Sequence, residues 1–571
     1  MLFSYLMGQD LKNPQEIWAE YDPDKGAYKE EIIKERTNNG VYYKESYISA
    51  YVLGEEVRVY CLYSVKSGIK KAPGLMNIHG WMSKASIDKD YIKDGWAVIS
   101  YDYCGKTGNR KEYTKYPEAL KRGNMEDRKN VVWTSHPKNN SSITQPEETS
   151  DYVWYALQRR VLSYFLTHDV VDASRIGAKG YSYGGTIIWN LGMDERVKAI
   201  VAYFGIGWNE YYRRRGVFKY KIPYVEPEKT SGEKIYLKSI APQAHAPYIK
   251  AASLWLNGTN DHHGGHERGE DTFDDFKEGV PWAFAHQARA HHNTDKLGDN
   301  TKIWLKKHVL GEDLFWPKLP EANIELDAEG VPEFKISPDS TDKLEEIKIF
   351  YALKNPISYG RSWRDSEAVR SGDQWTAKLP VLNVDDYVFA FAQLNYKGNI
   401  VITSKFQAAI PSKLGQAIAT DKPRTQLDSS SGWNNSGPIE GVGGIKGFRP
   451  MSNRGTLNQQ FADPALVIPK NTPLTFDFYC TQPQKVLIEV NKAFQKEIEI
   501  TASNDWQSMT IPAAELINKH NKKPLNDWSE TEIIKLTPAR GSDITKVVFA
   551  KFRWQSGSEA SEDTASKTDT K

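Results

Sequence analysis

At 571 residues the chain is longer than one hydrophobic core supports, so two or three domains are expected. Hydrophobic residues at 39% beside charged residues at 26% fit a globular chain, and no run is long and apolar enough to span a bilayer. The 75 basic and 73 acidic residues leave a net charge of +2, too little to steer nucleic acid; neither nucleic-acid binding nor membrane insertion is expected.

Cys61, Cys104 and Cys480 are odd in number and widely spaced, which suggests three buried small hydrophobes, with neither a disulfide framework nor a CxxC metal site. The N-terminus, Met1 to Gly8, has a short apolar stretch but no basic lead and no small-residue cleavage site, so it makes a poor secretory signal. A periplasmic or secreted location is still expected over a cytoplasmic one. Aromatic residues reach 12%, with 17 Trp, enough to pack cores and leave some as platforms for sugar rings.

In chain order, Val41 to Val52 and Glu56 to Tyr63 alternate around a Leu53-Gly54-Glu55 turn and predict an antiparallel hairpin. Short apolar runs follow at Gly74 to Ile78, Ala97 to Tyr101, Ile176 to Ala178, Val197 to Tyr203 and Ser253 to Leu256, the pattern of strands buried on both faces. Val153, Leu157, Val161 and Phe165 recur every fourth residue and predict a crossover helix beginning near a Ser150 cap. A last helix, Thr301 to Leu310, ends at Gly311. Together these predict a mostly parallel, doubly wound α/β domain over residues 1–318.

From there strands dominate. Glu345 to Tyr351, Gln374 to Leu379 and Tyr387 to Ala392 predict a small β-sandwich over 319–415. The Ser-, Asn- and Gly-rich stretch from Thr425 to Gly447 reads as a linker into a second β-sandwich or jelly roll, the whole module covering 416–556, with strands near Leu474, Val486, Glu497 and Lys546. The polar tail 557–571 cannot fold alone.

Gly180-Tyr181-Ser182-Tyr183-Gly184 stands between a predicted strand and the apolar Thr186 to Trp189, the setting of a nucleophilic serine on a sharp turn of an α/β-hydrolase fold. A serine hydroxyl needs an imidazole to take its proton and a carboxylate to orient that imidazole, in the chain order Ser, acid, His. Asp261, in the loop after the strand at Ser253, is the expected acid, with Asp271, Asp274 and Asp275 as fallbacks. The base should follow it and precede the last helix; His291 is preferred, with His292 as the alternative. His262, His263 and His266 lie too near the acid's own loop, His286 falls in an apolar stretch, and His308 sits within the last helix.

The negative oxygen of a tetrahedral intermediate needs two backbone donors, for which Tyr183 and Trp81, in Asn77-Ile78-His79-Gly80-Trp81, are the expectation, His79 bracing that loop. Asp261 with His262, His263 and His266 lacks the regular spacing of a metal set, so neither a metal nor another cofactor is expected.

On His79-Gly80-Trp81, the serine motif, Asn257-Gly258-Thr259-Asn260-Asp261, His291-His292 and Asp194 to Ala199, residues 40 to 317 resemble the dienelactone-hydrolase and acetyl-xylan-esterase-like group. Dienelactone hydrolases use a cysteine nucleophile; the serine here implies a carboxylic-ester hydrolase, with acylated carbohydrate as the substrate. The later β regions look like accessory modules of polysaccharide-degrading bacterial enzymes. Trp433, Trp506, Trp528 and Trp554 are the residues through which the last module would hold sugar, and the loops Lys106 to Gln145 and Gly207 to Ala246 are those expected to select substrate.

Overall fold

The computed structural model describes residues 11–126, 131, 143–208, 230–355, 360–427, 433, 435–440, 444–458 and 460–554. Strands β1 (Glu31–Asn38), β2 (Val41–Val52), β3 (Glu55–Lys66), β4 (Ala72–Ile78), β5 (Ala97–Tyr101), β6 (Val171–Tyr181), β7 (Val197–Tyr203), β8 (Ala252–Gly258) and β9 (Trp282–Gln287) form one 9-stranded sheet in the order β1-β2-β3-β5-β4-β6-β7-β8-β9. The first three strands pair antiparallel and β3 meets β5 antiparallel; from β5 through β9 every pairing is parallel.

The central strands read as apolar runs because both faces are covered. Leu75 and Met76 are neighbours on β4 and are both fully buried, yet they enter different core clusters. On one face lies helix α1 (Ser150–Leu166) with Trp154 and Phe165; on the other are Trp304 and Leu305 of α3 (Asn300–Leu305). Helix α1 is capped by Thr149, whose Oγ1 accepts from Tyr152 N at 3.1 Å, one residue before the expected Ser150. Its burial also exceeds one apolar face. Arg160 is buried because its guanidinium donates to the carbonyls of Pro23, Gly26 and Ser49, tying the N-terminal segment to the sheet. The last helix ends at Gly311, with φ +72°, as its C-cap.

Two strands are additional to those predicted. β1 is exposed throughout and polar, with Glu31, Lys34, Glu35 and Arg36 along it, a composition suited to a sheet edge that must not recruit another strand. β9 fills the opposite edge with the apolar stretch that carries His286.

Beyond the α/β region, one antiparallel pair of sheets contains Leu344–Leu353, Gln374–Lys378 and Val388–Tyr396 around Phe334, Trp375 and Tyr396. A second pair of five-stranded sheets contains Leu474–Tyr479, Gln484–Val490, Phe494–Ile500 and Val548–Arg553 around a core wholly within residues 427–554. The predicted linker is part of this second unit: Ser436–Glu440 pairs with Lys446–Pro450, and Leu427 and Trp433 enter its core. Other residues of that stretch, and the predicted tail, lie outside the described residues. Trp433, Trp528 and Trp554 are buried, at 6%, 0% and 0% exposure, so they pack this core and offer no surface to a sugar; Trp506 is half-buried beside Tyr479. Cys61, Cys104 and Cys480 are all free and buried.

Candidate active site

Ser182 sits between β6 and α2 (Tyr183–Ile187) at φ +57° and ψ −119°, a conformation that a residue with a side chain holds only where its surroundings fix it. The flanking glycines make the turn possible. A Cβ on Gly180 would lie 2.2 Å from Gly184 O, and one on Gly184 would lie 2.4 Å from His79 O. The loop after β4 therefore rests directly on the turn: a Cβ at Gly80 would stand 3.2 Å from Ser182 Cβ.

That loop is braced from below. His79 stacks on Tyr103 at 4.5 Å, its Nδ1 donates to Gly80 O at 2.7 Å, and its Nε2 lies 3.4 Å from the buried carboxylate of Asp102. Asp102 also accepts from the N–H groups of Gly105 at 3.0 Å and Thr114 at 2.8 Å, and faces Arg110 at 3.4 Å. The bracing role expected for His79 thus comes with a carboxylate that no motif advertised. Trp81 turns its ring to Tyr183 and Trp154, at 5.3 and 5.7 Å, while Tyr183 OH donates to buried Asp151 beneath the turn.

Asp261 is buried at the end of β8. Its Oδ1 accepts from the backbone N–H groups of His263 at 2.6 Å and Gly264 at 2.7 Å, and its Oδ2 accepts from His292 Nδ1 at 2.5 Å. Burial opposes its ionisation, but the His292 hydrogen bond, the charges of His292 and His262, and the Gly264 N–H together hold its carboxyl below the usual carboxylate range.

The preferred pairing of His291 with Asp261 is therefore replaced by the alternative. His291 Nδ1 donates to Asn260 O at 3.0 Å instead, and burial pushes its imidazole down from the ordinary value. The reason is register. Gly258 approaches so closely that a Cβ there would lie 2.1 Å from His291 O, and Asn260 N donates to Ala290 O at 2.8 Å. With the two loops joined along their backbones, adjacent side chains diverge: 291 toward Asn260, 292 toward Asp261.

His292 is further oriented by aromatic neighbours. Phe204, at φ +66° directly after β7, stacks on it at 3.8 Å, and Tyr181 meets it edge-on at 5.6 Å. Thr186 Oγ1, on the helix after Ser182, lies 2.8 Å from His263 Nε2, linking the serine turn to the acid loop. Neither Phe204 nor this link carried a sequence signal, because both depend on how three strand ends converge. Asp271 is half-buried beside Arg268, and Asp274 and Asp275 are exposed, so none competes with Asp261. His308 packs on Trp304 at 4.2 Å.

Residues 360–365 of the first antiparallel unit reach over both loops. Asn260 Nδ2 donates to Arg361 O at 2.8 Å, and Arg289 donates through Nε to Trp363 O at 2.8 Å and through Nη2 to Asp365 at 2.6 Å. Beneath them, buried Arg361 pairs with Glu267 at 2.5 Å. Of the loops expected to select substrate, 127–130, 132–142 and 209–229 lie outside the described residues.

Among the described residues, two side-chain groups have donor atoms close enough to share a metal ion: Asp261, His262 and His292, and separately His266, Glu270 and His286. The first is the acid and histidine pair just described with one exposed neighbour; in the second, His266 has parted from His262 and His263. The site holds a serine hydroxyl on a strained turn and, on the neighbouring loops, an imidazole hydrogen-bonded to a buried carboxylate, groups whose chemistry is proton transfer and nucleophilic attack.

No family model matches the sequence, and neither does any curated protein. Solved structures do resemble it. An acetyl xylan esterase from Paenibacillus sp. R4 shares 15% identity, covering 48% of this chain and 85% of its own at a TM-score of 0.37. Acetyl Xylan Esterase 1 from Thermoanaerobacterium sp. JW/SL YS485 shares 18% identity, covering 49% of this chain and 90% of its own at a TM-score of 0.36. The Pyrococcus horikoshii acylaminoacyl peptidase shares 15% identity and covers 51% of each chain at a TM-score of 0.33. These likenesses bear on neither substrate nor chemistry. The mixed sheet with a strained serine between a central strand and a helix, and an acid and a histidine at the ends of later strands, is the arrangement of an α/β-hydrolase fold.

Proposed function

We propose that the chain is a serine carboxylic-ester hydrolase in which Ser182 is the nucleophile, His292 the general base and Asp261 the residue that orients it, and that the substrate is acylated, in particular acetylated, carbohydrate. The observation that carries this reading is the 2.5 Å hydrogen bond from His292 Nδ1 to Asp261 Oδ2, which fixes the tautomer and leaves Nε2 free of that proton.

In this mechanism Ser182 Oγ attacks the acyl carbonyl as its proton passes to His292 Nε2. The oxyanion is held by the backbone N–H groups of Tyr183 and Trp81. The imidazolium, stabilised by Asp261, returns the proton to the leaving sugar hydroxyl. Water, deprotonated by the same imidazole, then hydrolyses the acyl-serine.

The experiment offers the full chain and its Ser182→Ala variant a panel of acetylated oligosaccharides, methyl esters and a dipeptide anilide, with NMR of the products and labelling by a fluorophosphonate. Acetate release from the sugars together with Ser182-dependent labelling is the expected result. Faster turnover of the anilide than of any ester would replace this reading with a prolyl-oligopeptidase-like peptidase. Failure to label would leave a catalytically silent binding protein, a reading already weakened by the buried positions of Trp433, Trp528 and Trp554.

A further inference from the structure

We propose that His266, Glu270 and His286 form a binding site for one divalent transition-metal ion of the zinc class, holding together the acid loop, strand β9 and the first antiparallel unit. The proposal does not rest on the esterase reading.

The three side chains are brought together by local geometry. His266 begins a short helix (His266–Gly269) that runs into the turn Glu270–Phe273, so residues 266 and 270 share a face one turn apart. His286 meets them from β9. Side-chain exposures are 1% for His266, 6% for Glu270 and 0% for His286. Glu270 Oε1 lies 3.1 Å from His286 Nε2 and 3.7 Å from His266 Nε2. Two donors on a tetrahedral zinc-class ion stand about 3.4 Å apart, given metal-to-ligand bonds of roughly 2.0–2.2 Å. The two separations bracket that value.

One hydrogen bond already joins two of these donors, His286 Nε2 to Glu270 Oε1 at 3.1 Å, and an ion would take its place. Glu270 Oε2 accepts from Phe406 N at 2.9 Å, which turns Oε1 toward the imidazoles. Among the described residues, both ring nitrogens of His266, and Nδ1 of His286, have no hydrogen-bond partner. Aromatic rings pack around them: Phe406 and Phe391 stand 4.8 and 5.1 Å from the His266 ring, and Trp255 and Phe284 stand 4.7 and 5.2 Å from that of His286. Buried ring nitrogens need partners, and coordination by one ion supplies a partner to each imidazole at once. Two imidazoles and one carboxylate suit zinc, cobalt or nickel over calcium or magnesium, which prefer oxygen shells. Binding would couple the ion to the loop that carries Asp261, because His266 comes five residues after Asp261 in the chain.

The test uses the untagged full-length chain, purified without chelator and dialysed, with metal content by mass spectrometry and X-ray absorption after loading with Zn²⁺ or Co²⁺. Expected are one ion per chain with two imidazoles and one carboxylate in its shell, a rise in melting temperature on reloading a chelator-stripped sample, and retention of the ion in His262→Ala. His266→Gln and His286→Gln should weaken Co²⁺ binding by more than about 100-fold, beyond the 10–100-fold typical of lost outer partners. If those two variants do not fold, the wild-type absorption spectrum and stripping experiment decide alone. Absence of tight Zn²⁺ or Co²⁺ binding by the wild type, an all-oxygen shell, unchanged binding in folded His266→Gln, or loss of the ion in His262→Ala would each overturn the proposal.

Discussion

Asp261 uses its two oxygens separately: one is filled by backbone N–H groups of its own loop, the other is given to His292. That division makes the neighbouring histidines unequal. His292→Ala should lower kcat/KM for an aryl acetate by roughly 10⁴- to 10⁶-fold without unfolding the chain, whereas His291→Ala, which loses one bond to a carbonyl, should keep activity within about 10-fold. Steady-state kinetics on the two variants checks this, and the reverse order would return the base to His291. At this scale the placement of Ser182 on a strand-to-helix turn and of Asp261 in the loop after a buried strand was legible from the pattern of those elements. The choice between His291 and His292 was not legible, since it depends on a backbone contact with Gly258 that is remote in the chain. Trp433, Trp528 and Trp554 were misplaced for a related reason: they sit in an isolated bridge, a short 3-10 helix and just past a strand end, where no period-2 pattern tells which way a ring faces.

At the scale of elements, the central strands were readable as apolar runs. β1 and β9 escaped because an exposed edge and a short apolar stretch carry little period-2 pattern. The clamp at residues 360–365 rests on a buried ion pair. Removing only one partner leaves the other charged and unpaired, so Arg361→Met should cost about 3–5 kcal/mol of stability, and adding Glu267→Gln should recover a large part of it. Urea unfolding of wild type, the two single variants and the double variant measures the coupling; additive losses would mean that the pair does not act as a unit.

For the whole molecule, a mixed sheet accompanied by antiparallel sheets was anticipated from texture, but the contacts between them were not. The α/β region and the first antiparallel unit share polar contacts such as Asn300 with Val401 and Lys405 with Asp274. Arg364, from that same unit, reaches Asp421 and Asp463 beyond it. Acid should loosen the assembly from within the α/β region. Burial pushes the His245 imidazole from 6.5 down to about 4, and His168 shifts likewise through burial and the charge of Lys44. The folded state thus resists a proton that the unfolded chain accepts. Stability contributed by a neutral buried His245 is whole above pH 6.5 and is lost as pH falls toward about 4, by roughly 1–3 kcal/mol. His245→Gln should shrink the difference between denaturation midpoints at pH 7 and pH 5; an unchanged difference would exclude His245 as a source.

The pinch between Gly258 and the backbone of Ala290 and His291 fixes which residue number faces Asp261, so the doubled histidine acts as insurance against a shift in one direction only. One alanine inserted between Ala290 and His291 carries His291 into the place His292 now fills, and an imidazole still meets the carboxylate. Deleting His291 instead brings Asn293 there. Turnover of an aryl acetate should survive the insertion in part and vanish with the deletion, an asymmetry that a loop able to re-register freely would not show.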